Sequence, residues 1–385
     1  MTRAPHILIV VDSLGCGGAE MYAVQLANAL AARDVAVSLA AGVHAGNTLA
    51  PDVAPDVRQL ELPWRWHPTK AAQVRSLWAS ARDLTRYVRA QGVTVVHTML
   101  PATMLAGVAA ARRVGVPTVF TPMQVSGTSS WHHRATNRLL LPRMDLVVAL
   151  GDYLHDDTRR AYATTAARTV VCRLGVDVER YSSAGRAAAR AALGLPDGLP
   201  TVGICTGLRP IKDPMLALRA FAVLRARREA AFVVVGDGEM RAEMEAFVAR
   251  EGLAADVHFA GQCTDVQTVV PAFDVYLETC RGPNLGLAPL EALAMGVPLL
   301  VAVRDDDEAR MAADTLVDGS PGSVAPAEPG ALAAALDAFF ARPPDARAAT
   351  RAAARRTAEQ HYSWAGHVDA LVGHYGRFAP RPAAL

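Results

Sequence analysis

The sequence predicts an α/β protein of two domains, each built around a doubly wound parallel sheet. The chain has 385 residues, of which 51% are hydrophobic. That length suits two domains with separate cores, because single domains commonly run about 100–200 residues. Short β-branched and apolar segments alternate with helical patterns from the start of the chain. The alternation begins again after a turn-rich segment at residues 175–185, which predicts a second sheet of the same kind.

Each predicted strand is a short apolar segment, and the helices between them carry apolar stripes such as Ala23, Leu26, Ala27 and Leu30. The strands predicted in the first half are Ile7 to Val11, Val35 to Ala40, Val93 to His97, Thr118 to Thr121, Leu146 to Leu150 and Thr169 to Cys172. Those predicted in the second half are Val202 to Cys205, Phe232 to Val235, Val257 to Phe259, Val275 to Leu277 and Leu299 to Val303. A helical tail, interrupted near Ser363, follows Pro344.

The composition narrows the class of partner. Residues 1–180 contain 19 Lys and Arg against 13 Asp and Glu, and the remainder contains 20 against 24. This modest basic excess suits a phosphate-bearing ligand and is too small to predict nucleic-acid binding. The five cysteines are scattered and form no C-x-x-C pair, which argues against a disulfide framework and fits a cytoplasmic protein. We expect any membrane contact to be peripheral, because no apolar run approaches a membrane span.

A glycine-rich loop follows the first predicted strand. Gly15, Gly17 and Gly18 precede a helix, where bare backbone N–H groups and the positive helix end can approach an anion. A dinucleotide-binding G-x-G-x-x-G pattern needs glycine at position 20, where this chain has Glu20. The loop therefore indicates phosphate binding, with a tight turn that binds no ligand as the alternative.

Two cations follow the first strand of the second domain. After Cys205 the chain reads Thr206-Gly207-Leu208-Arg209-Pro210-Ile211-Lys212 and enters a helix. Cations fixed beside a diphosphate leaving group lower the barrier to its departure. We expect Arg209 and Lys212 to be the catalytic cations; a solvated surface pair is the alternative.

A second phosphate-binding helix start is predicted near residue 286. Gly282-Pro283-Asn284-Leu285-Gly286 leads into a helix at Leu287, and free N–H groups at such a start suit a phosphate. Glu291, one turn later, can accept hydrogen bonds from a ribose diol. Its alternative role is to complement the helix dipole.

Taken together, the motifs resemble the retaining family-4 glycosyltransferases over nearly the whole chain. Each motif is weak alone, but their order and spacing are specific. The matching stretches are Gly17-Gly18-Ala19-Glu20, Asp145-Leu-Val-Val-Ala, Gly175-Val176-Asp177, Arg209-Pro-Ile-Lys212-Asp, Val235-Gly236-Asp237-Gly238-Glu239, His258-Phe259-Ala-Gly261 and Leu290-Glu291-Ala-Leu-Ala-Met-Gly296-Val-Pro298.

The resemblance implies a GT-B fold of two Rossmann-like domains facing a central cleft, with limits at 1–180 and 181–361 and a C-terminal helix, about 362–385, packing back on the first domain. It implies that the donor is a UDP- or GDP-linked sugar, transferred with retention and without a metal or any other cofactor. The donor-binding residues would be Gly17, Gly18, Gly207, Gly236, Phe259, Asn284, Leu285, Gly286, Leu287 and Glu291.

Several positions depart from the family pattern. Pro283 stands where the first acid of the family's Glu-x7-Glu pair normally contacts the donor sugar, and Gly207 replaces a usual arginine. Met99 and Met123 align with usual histidines, which leaves His97, Met123 and Gln124 as the acceptor-side candidates. The resemblance thus implies retained nucleotide contacts and altered sugar or acceptor contacts, consistent with an unusual donor, an unusual acceptor or lost catalysis.

The function expected is transfer of a hexose-like sugar to a small polar acceptor, in natural-product or cofactor-like biosynthesis. A nucleotide-sugar epimerase or hydrolase, or a catalytically silent sugar-nucleotide-binding protein, is the alternative. The acceptor and the oligomeric state stay open.

Two further signals carry less weight. Asp305-Asp306-Asp307 and His132-His133 lack the partners of a metal site, and we expect the three aspartates to form a solvated loop. The segment from Trp64 to Arg89 combines aromatic and basic residues and could rest on a membrane. The helical spacing of Val74, Leu77, Trp78, Ala81 and Leu84 instead predicts a face of the core.

Overall fold

The computed structural model describes residues 5–15, 17–43, 47–65, 67, 69–263, 265–282, 286–317 and 322–378. The chain forms two compact units. The N-terminal unit comprises Met1–Leu174 together with Gly366–Leu385, and the C-terminal unit comprises Gly175–Ala365. Both divisions fall a few residues from the limits expected at 180 and 361.

A parallel sheet of seven strands is described in the N-terminal unit, in the order β3-β2-β1-β4-β5-β6-β7. Its central strands are buried on both faces, as expected where helices cover both sides of a parallel sheet. The strands are β1 (His6–Val11), β2 (Ala36–Gly42), β3 (Arg58–Leu62), β4 (Val95–Thr98), β5 (Thr118–Phe120), β6 (Leu146–Ala149) and β7 (Thr169–Val171).

The helices of this unit include α1, which buries the predicted stripe of Ala23, Leu26, Ala27 and Leu30. The helices are α1 (Gly18–Ala31), α2 (Lys70–Gln91), α3 (Pro101–Val114), α4 (Trp131–Leu140) and α5 (Asp152–Tyr162).

The second parallel sheet has six described strands, in the order β10-β9-β8-β11-β12-β13. They are β8 (Thr201–Cys205), β9 (Ala231–Val235), β10 (Val257–Gly261), β11 (Val275–Glu278), β12 (Leu299–Val303) and β13 (Gly322–Pro326). The associated helices are α6 (Arg186–Ala192), α7 (Pro214–Arg225), α8 (Arg241–Arg250), α9 (Leu287–Ala294), α10 (Asp306–Thr315), α11 (Pro329–Phe340) and α12 (Pro344–His361). The last helix, α13 (Trp364–Gly376), begins after the predicted interruption at Ser363 and from Gly366 onward belongs to the N-terminal unit.

The core of the C-terminal unit lies between its sheet and helices α7 and α11. Phe221 of α7 stacks on Phe232 of β9, with ring centroids 5.2 Å apart. Gly203 in β8 is required there, since a Cβ atom at this position would lie 2.2 Å from the ring of Phe273. The contact between Gly203 and Phe273 thus fixes the position of β8, and with it the point at Thr206 where the following loop begins.

The predicted α/β architecture is confirmed, but two strands were missed. Both β3 and β13 lie at sheet edges and are largely exposed. An edge strand buries little apolar surface, so its sequence lacks the apolar run that predicts a strand.

The expectation that Asp305, Asp306 and Asp307 form a solvated loop is corrected as well. Asp305 caps α10 with its carboxylate, and the next two aspartates lie in the first helical turn. Among the described residues no helix is long and apolar enough to cross a membrane.

Candidate functional site

The loops after β8, β9 and β10 are joined by backbone hydrogen bonds. The Thr206 amide donates to the Val235 carbonyl at 2.9 Å, and the Gly236 amide donates to the Gly261 carbonyl at 2.7 Å. Gly236 has φ +125°, and a Cβ there would lie 2.0 Å from the Thr206 carbonyl oxygen. Only glycine allows this close approach, so Gly207 and Gly236 are held at the same carboxyl edge of the sheet. Ligands of open α/β sheets bind at this edge.

Lys212 ends a short 3-10 turn that is clamped to the end of β11. The Thr279 hydroxyl donates to the Lys212 carbonyl at 2.9 Å, and the Arg281 amide donates to the Ile211 carbonyl at 2.8 Å. The backbone at the predicted phosphate lysine is therefore held by the residues that directly follow β11. Arg209 is exposed just before the turn, beside Gly207.

Asp213 binds two arginines next to this turn. Its Oδ2 atom lies 2.9 Å from the Arg281 guanidinium and 3.0 Å from that of Arg304. Arg304 also pairs with Glu308, whose Oε1 accepts from the Gly282 amide at 2.6 Å. Sequence reasoning missed this group, whose members are far apart along the chain. The charges bind each other and fix the segment leading to position 283.

Glu291 lies on α9 and accepts a hydrogen bond from the Tyr181 hydroxyl. Burial raises the pKa of Glu291, while the Tyr181 hydrogen bond and the nearby Arg180 lower it. Arg355 of α12 donates to the Tyr181 carbonyl, and to the Ala294 carbonyl at 2.7 Å. The carboxylate predicted to bind ribose is thus held by a neighbour that sequence reasoning missed.

The structure gives fewer contacts for the remaining residues predicted to bind the donor. Gly286 caps the start of α9 and Leu287 is half-buried, whereas Pro283, Asn284 and Leu285 lie outside the described residues. The Phe259 ring is covered by Arg241, whose guanidinium carbon is 5.3 Å from the ring centroid, and it packs partly on the core.

In the N-terminal unit the glycine loop carries a carboxylate of its own. Gly17 is the N-cap of α1, and a Cβ at this residue would lie 2.1 Å from Glu20 Oε2. The Glu20 side chain therefore lies over the start of α1, where its charge complements the helix dipole. The space beside Gly18 is open.

The acceptor-side expectation for His97 needs correction. His97 is fully buried, with Nδ1 2.6 Å from the Tyr375 hydroxyl and Nε2 2.8 Å from Thr121 Oγ1. Both ring nitrogens are occupied, so this side chain attaches α13 to the sheet instead of facing an acceptor. Met123 is half-buried and Gln124 is exposed; their assignment stays a prediction.

In the part of the chain that the structure describes, no group of three or more His, Cys, Asp or Glu side chains could hold a metal ion.

Two protein-family models match the chain. The family model described as Glycosyltransferase Family 4 matches residues 16–180, and the model described as Glycosyl transferases group 1 matches residues 185–357. A curated relative, the D-inositol 3-phosphate glycosyltransferase of Mycobacterium tuberculosis (strain H37Rv), is 34% identical over 233 residues. This match covers 55% of the present chain and 44% of the relative, so it spans less than half of the relative's length.

Solved structures share the fold at low identity. A glycosyltransferase from Rickettsia africae superposes with a TM-score of 0.83 at 16% identity, covering 99% of this chain and 100% of that one. Anabaena HepE, in complex with UDP and glucose, gives 0.77 at 20% identity, with coverage of 97% and 99%. The two family matches together contain Gly17, Gly18, Lys212 and Glu291. The chain therefore belongs to the family-4 glycosyltransferases with the GT-B fold.

Proposed function

We propose that this protein transfers a sugar from a UDP- or GDP-linked donor to a small polar acceptor, with retention of anomeric configuration. The observation that carries the proposal is the backbone position of Lys212, whose carbonyl accepts from the Thr279 hydroxyl at the carboxyl edge of the second sheet. An ammonium group carried at this position would stabilise the charge that develops on a departing diphosphate. In this proposal Lys212 and Arg209 meet that charge, so the step uses no metal.

The composition of the chain strengthens the choice of Lys212. The sequence contains two lysines, Lys70 and Lys212, among 39 basic residues. A compact ammonium and a planar guanidinium bind phosphate differently, so a lysine at this position suits a point contact with one phosphate group.

The relatives support the class of substrate. Anabaena HepE has been solved with UDP and glucose, which favours a nucleotide sugar as donor here. The M. tuberculosis relative is named for D-inositol 3-phosphate, which supports a small polar acceptor. Pro283 stands where the family's first glutamate contacts the donor sugar, so we propose that the sugar or acceptor pocket differs from that of common members.

The first experiment identifies the nucleotide and the reaction. Thermal unfolding is measured with UDP, GDP and their sugars, since a ligand that binds the folded state raises its apparent stability. Donor consumption is then followed with and without an acceptor panel. Acceptor-dependent consumption supports the transferase; consumption of donor alone would indicate a hydrolase or epimerase, and binding without turnover a silent binding protein.

The variant Lys212→Ala tests the site itself. We expect turnover to fall by about 10²-fold or more, because one preorganised contact to developing charge is worth that much. Lys70→Ala, at the exposed start of α2, is the matched control and should keep full activity. Unchanged donor affinity and turnover in Lys212→Ala would reject the assignment of this lysine.

A further inference from the structure

Helices α2, α3 and α4 lie side by side in the N-terminal unit. Leu84 of α2 and Ala110 of α3 belong to one cluster of the core, and Met104 of α3 and Leu140 of α4 belong to another. Helix α3 therefore lies between the other two. The exposed sides of the three helices form one surface, which we call the basic face.

The basic face carries almost only positive charge. The three helices contain nine basic residues and one acid, Asp83, whereas the whole chain has 39 basic and 37 acidic residues. Five of the basic residues lie on α2, two on α3 and two on α4, and all nine are exposed. The Asp83 carboxylate lies 3.5 Å from the Arg82 guanidinium and 3.6 Å from that of Arg86. One negative charge is thus shared by two of the nine cations.

Large apolar side chains are exposed among these charges. Trp78 of α2 is 61% exposed and Trp131 of α4 is 64% exposed. The guanidinium carbon of Arg113 lies 5.6 Å from the centroid of the Trp78 ring. Of the large hydrophobic side chains that are exposed in the described part of the chain, more than half lie on this face. Besides the two tryptophans, they are Val74, Leu105 and Leu139.

This combination of side chains suits the surface of an anionic lipid bilayer. Arginine and lysine are attracted by negatively charged headgroups. Tryptophan favours the boundary between headgroups and acyl chains, because its ring is apolar and its N–H group is polar. A second copy of this chain would bring like charges together, which argues against a dimer through this face. Single-stranded nucleic acid stacks its bases on aromatic rings, but the exposed aliphatic side chains offer a base no such platform.

We propose that the basic face is a docking surface for a membrane that contains anionic lipid, with Trp78 and Trp131 inserted among the headgroups. The basic side chains lie at the level of the lipid phosphates in this arrangement, and the contact is peripheral. The inference does not depend on the proposed function, since it uses only residues of the N-terminal unit.

Co-sedimentation of the full chain with lipid vesicles tests the docking. The probes are vesicles of phosphatidylcholine alone and vesicles of phosphatidylcholine and phosphatidylglycerol in equal parts. At about 0.05 M NaCl we expect about 100-fold tighter binding to the anionic vesicles, because several cations act together. Most of this difference should be lost at about 0.5 M NaCl, where salt screens the charges. Tryptophan emission should shift to shorter wavelength on binding, since the two rings leave water.

A double variant tests the contribution of charge. Arg75→Gln combined with Arg138→Gln removes one exposed cation from α2 and one from α4. It should weaken binding to the anionic vesicles about 10- to 30-fold. The matched control is Arg219→Gln combined with Arg227→Gln, which makes the same change of charge at exposed positions of the C-terminal unit. The control should bind as tightly as the natural protein.

A second double variant tests insertion of the rings. Trp78→Gln combined with Trp131→Gln keeps every charge of the basic face. It should weaken vesicle binding about tenfold or more, because less apolar surface leaves water, and it should abolish the emission shift. Both substituted side chains are exposed, so the variant should fold, which circular dichroism checks.

Several results would overturn the docking surface. They are equal binding of the natural protein to both kinds of vesicle, the absence of an emission shift, and unchanged affinity in either double variant. Binding of a single-stranded oligonucleotide that is tighter than binding of the anionic vesicles, and is lost in the same variants, would assign the basic face to nucleic acid and reject the membrane.

Discussion

Single residues of the candidate site are tuned by neighbours distant in the chain. Glu291 was selected from its place one turn into a helix, but its pKa reflects burial first and then the hydroxyl of Tyr181 and the charge of Arg180. Tyr181 lies in the turn-rich segment at residues 175–185, just after the Gly175-Val176-Asp177 motif and outside it. Because the Tyr181 hydroxyl lowers the pKa of Glu291, we expect it to affect how the proposed ribose contact depends on pH.

The variant Tyr181→Phe tests this dependence. The ionised Glu291 carboxylate accepts hydrogen bonds from ribose more strongly than the protonated acid, so donor affinity should fall as pH falls through its raised pKa. Loss of the Tyr181 hydrogen bond raises that pKa further, and the fall in affinity should then begin at a higher pH. Nucleotide affinity measured from pH 8 to pH 5 checks this, with Tyr87→Phe on α2 as the control. The same midpoint in all three proteins would contradict the coupling.

Helix α2 shows where apolar periodicity misleads. Val74 and Trp78, predicted to face the core, are 51% and 61% exposed, so this part of the prediction is wrong, although Ala81 and Leu84 are buried. The buried face includes Ser76 and Ser80, whose hydroxyls donate to the carbonyls of Gln73 and Ser76 at 2.8 Å. A serine satisfied by its own helix can face a core, and this rotates the buried stripe.

This rotation predicts unequal losses of stability for substitutions at two large side chains of α2. Trp78→Gln should lower the free energy of unfolding by less than about 1 kcal/mol, because the ring is exposed and loses mainly its contact with Arg113. Leu84→Ala removes a fully buried side chain and should cost about 2–5 kcal/mol. The free energy of unfolding of both variants is measured in urea. Similar losses in the two variants would contradict the observed orientation of α2, in which Leu84 is buried and Trp78 is exposed.

From Gly366 onward, helix α13 belongs to the N-terminal unit. Two buried pairs attach α13 to it: Tyr22 with His367, 2.7 Å apart, and His97 with Tyr375. The His97 atom and its Tyr375 partner are 278 positions apart in sequence. Burial lowers the pKa of His97 to about 3 and that of His367 to about 4, so both rings are neutral in the folded unit.

This attachment predicts acid sensitivity of the N-terminal unit. Unfolded histidines take up protons near pH 6.5, whereas these two stay neutral until about pH 4 when folded, so stability is lost as pH falls below 6.5. The two together should lower the free energy of unfolding by about 2–3 kcal/mol per pH unit between pH 6 and pH 5. Denaturant unfolding at pH 7, 6 and 5 measures this.

Two histidine variants test whether His367 contributes to this change of unfolding free energy with pH. His367→Gln should reduce it by about half, because one of the two linked protons is removed, whereas His132→Gln, on the exposed face of α4, should preserve it. An unchanged slope in His367→Gln would assign the acid sensitivity to other groups.

The chain order of apolar segments was enough to predict two doubly wound sheets and to place Lys212 and Glu291 after strands, since strand propensity and loop position are local properties. The same local reasoning failed at β3 and β13, where edge strands bury too little to leave an apolar pattern. Only the folded structure showed the Thr279 hydroxyl on the Lys212 carbonyl, the Tyr181 hydroxyl on Glu291 and both nitrogens of His97 occupied. Those pairings join separate elements, and their geometry depends on how sheets and helices pack.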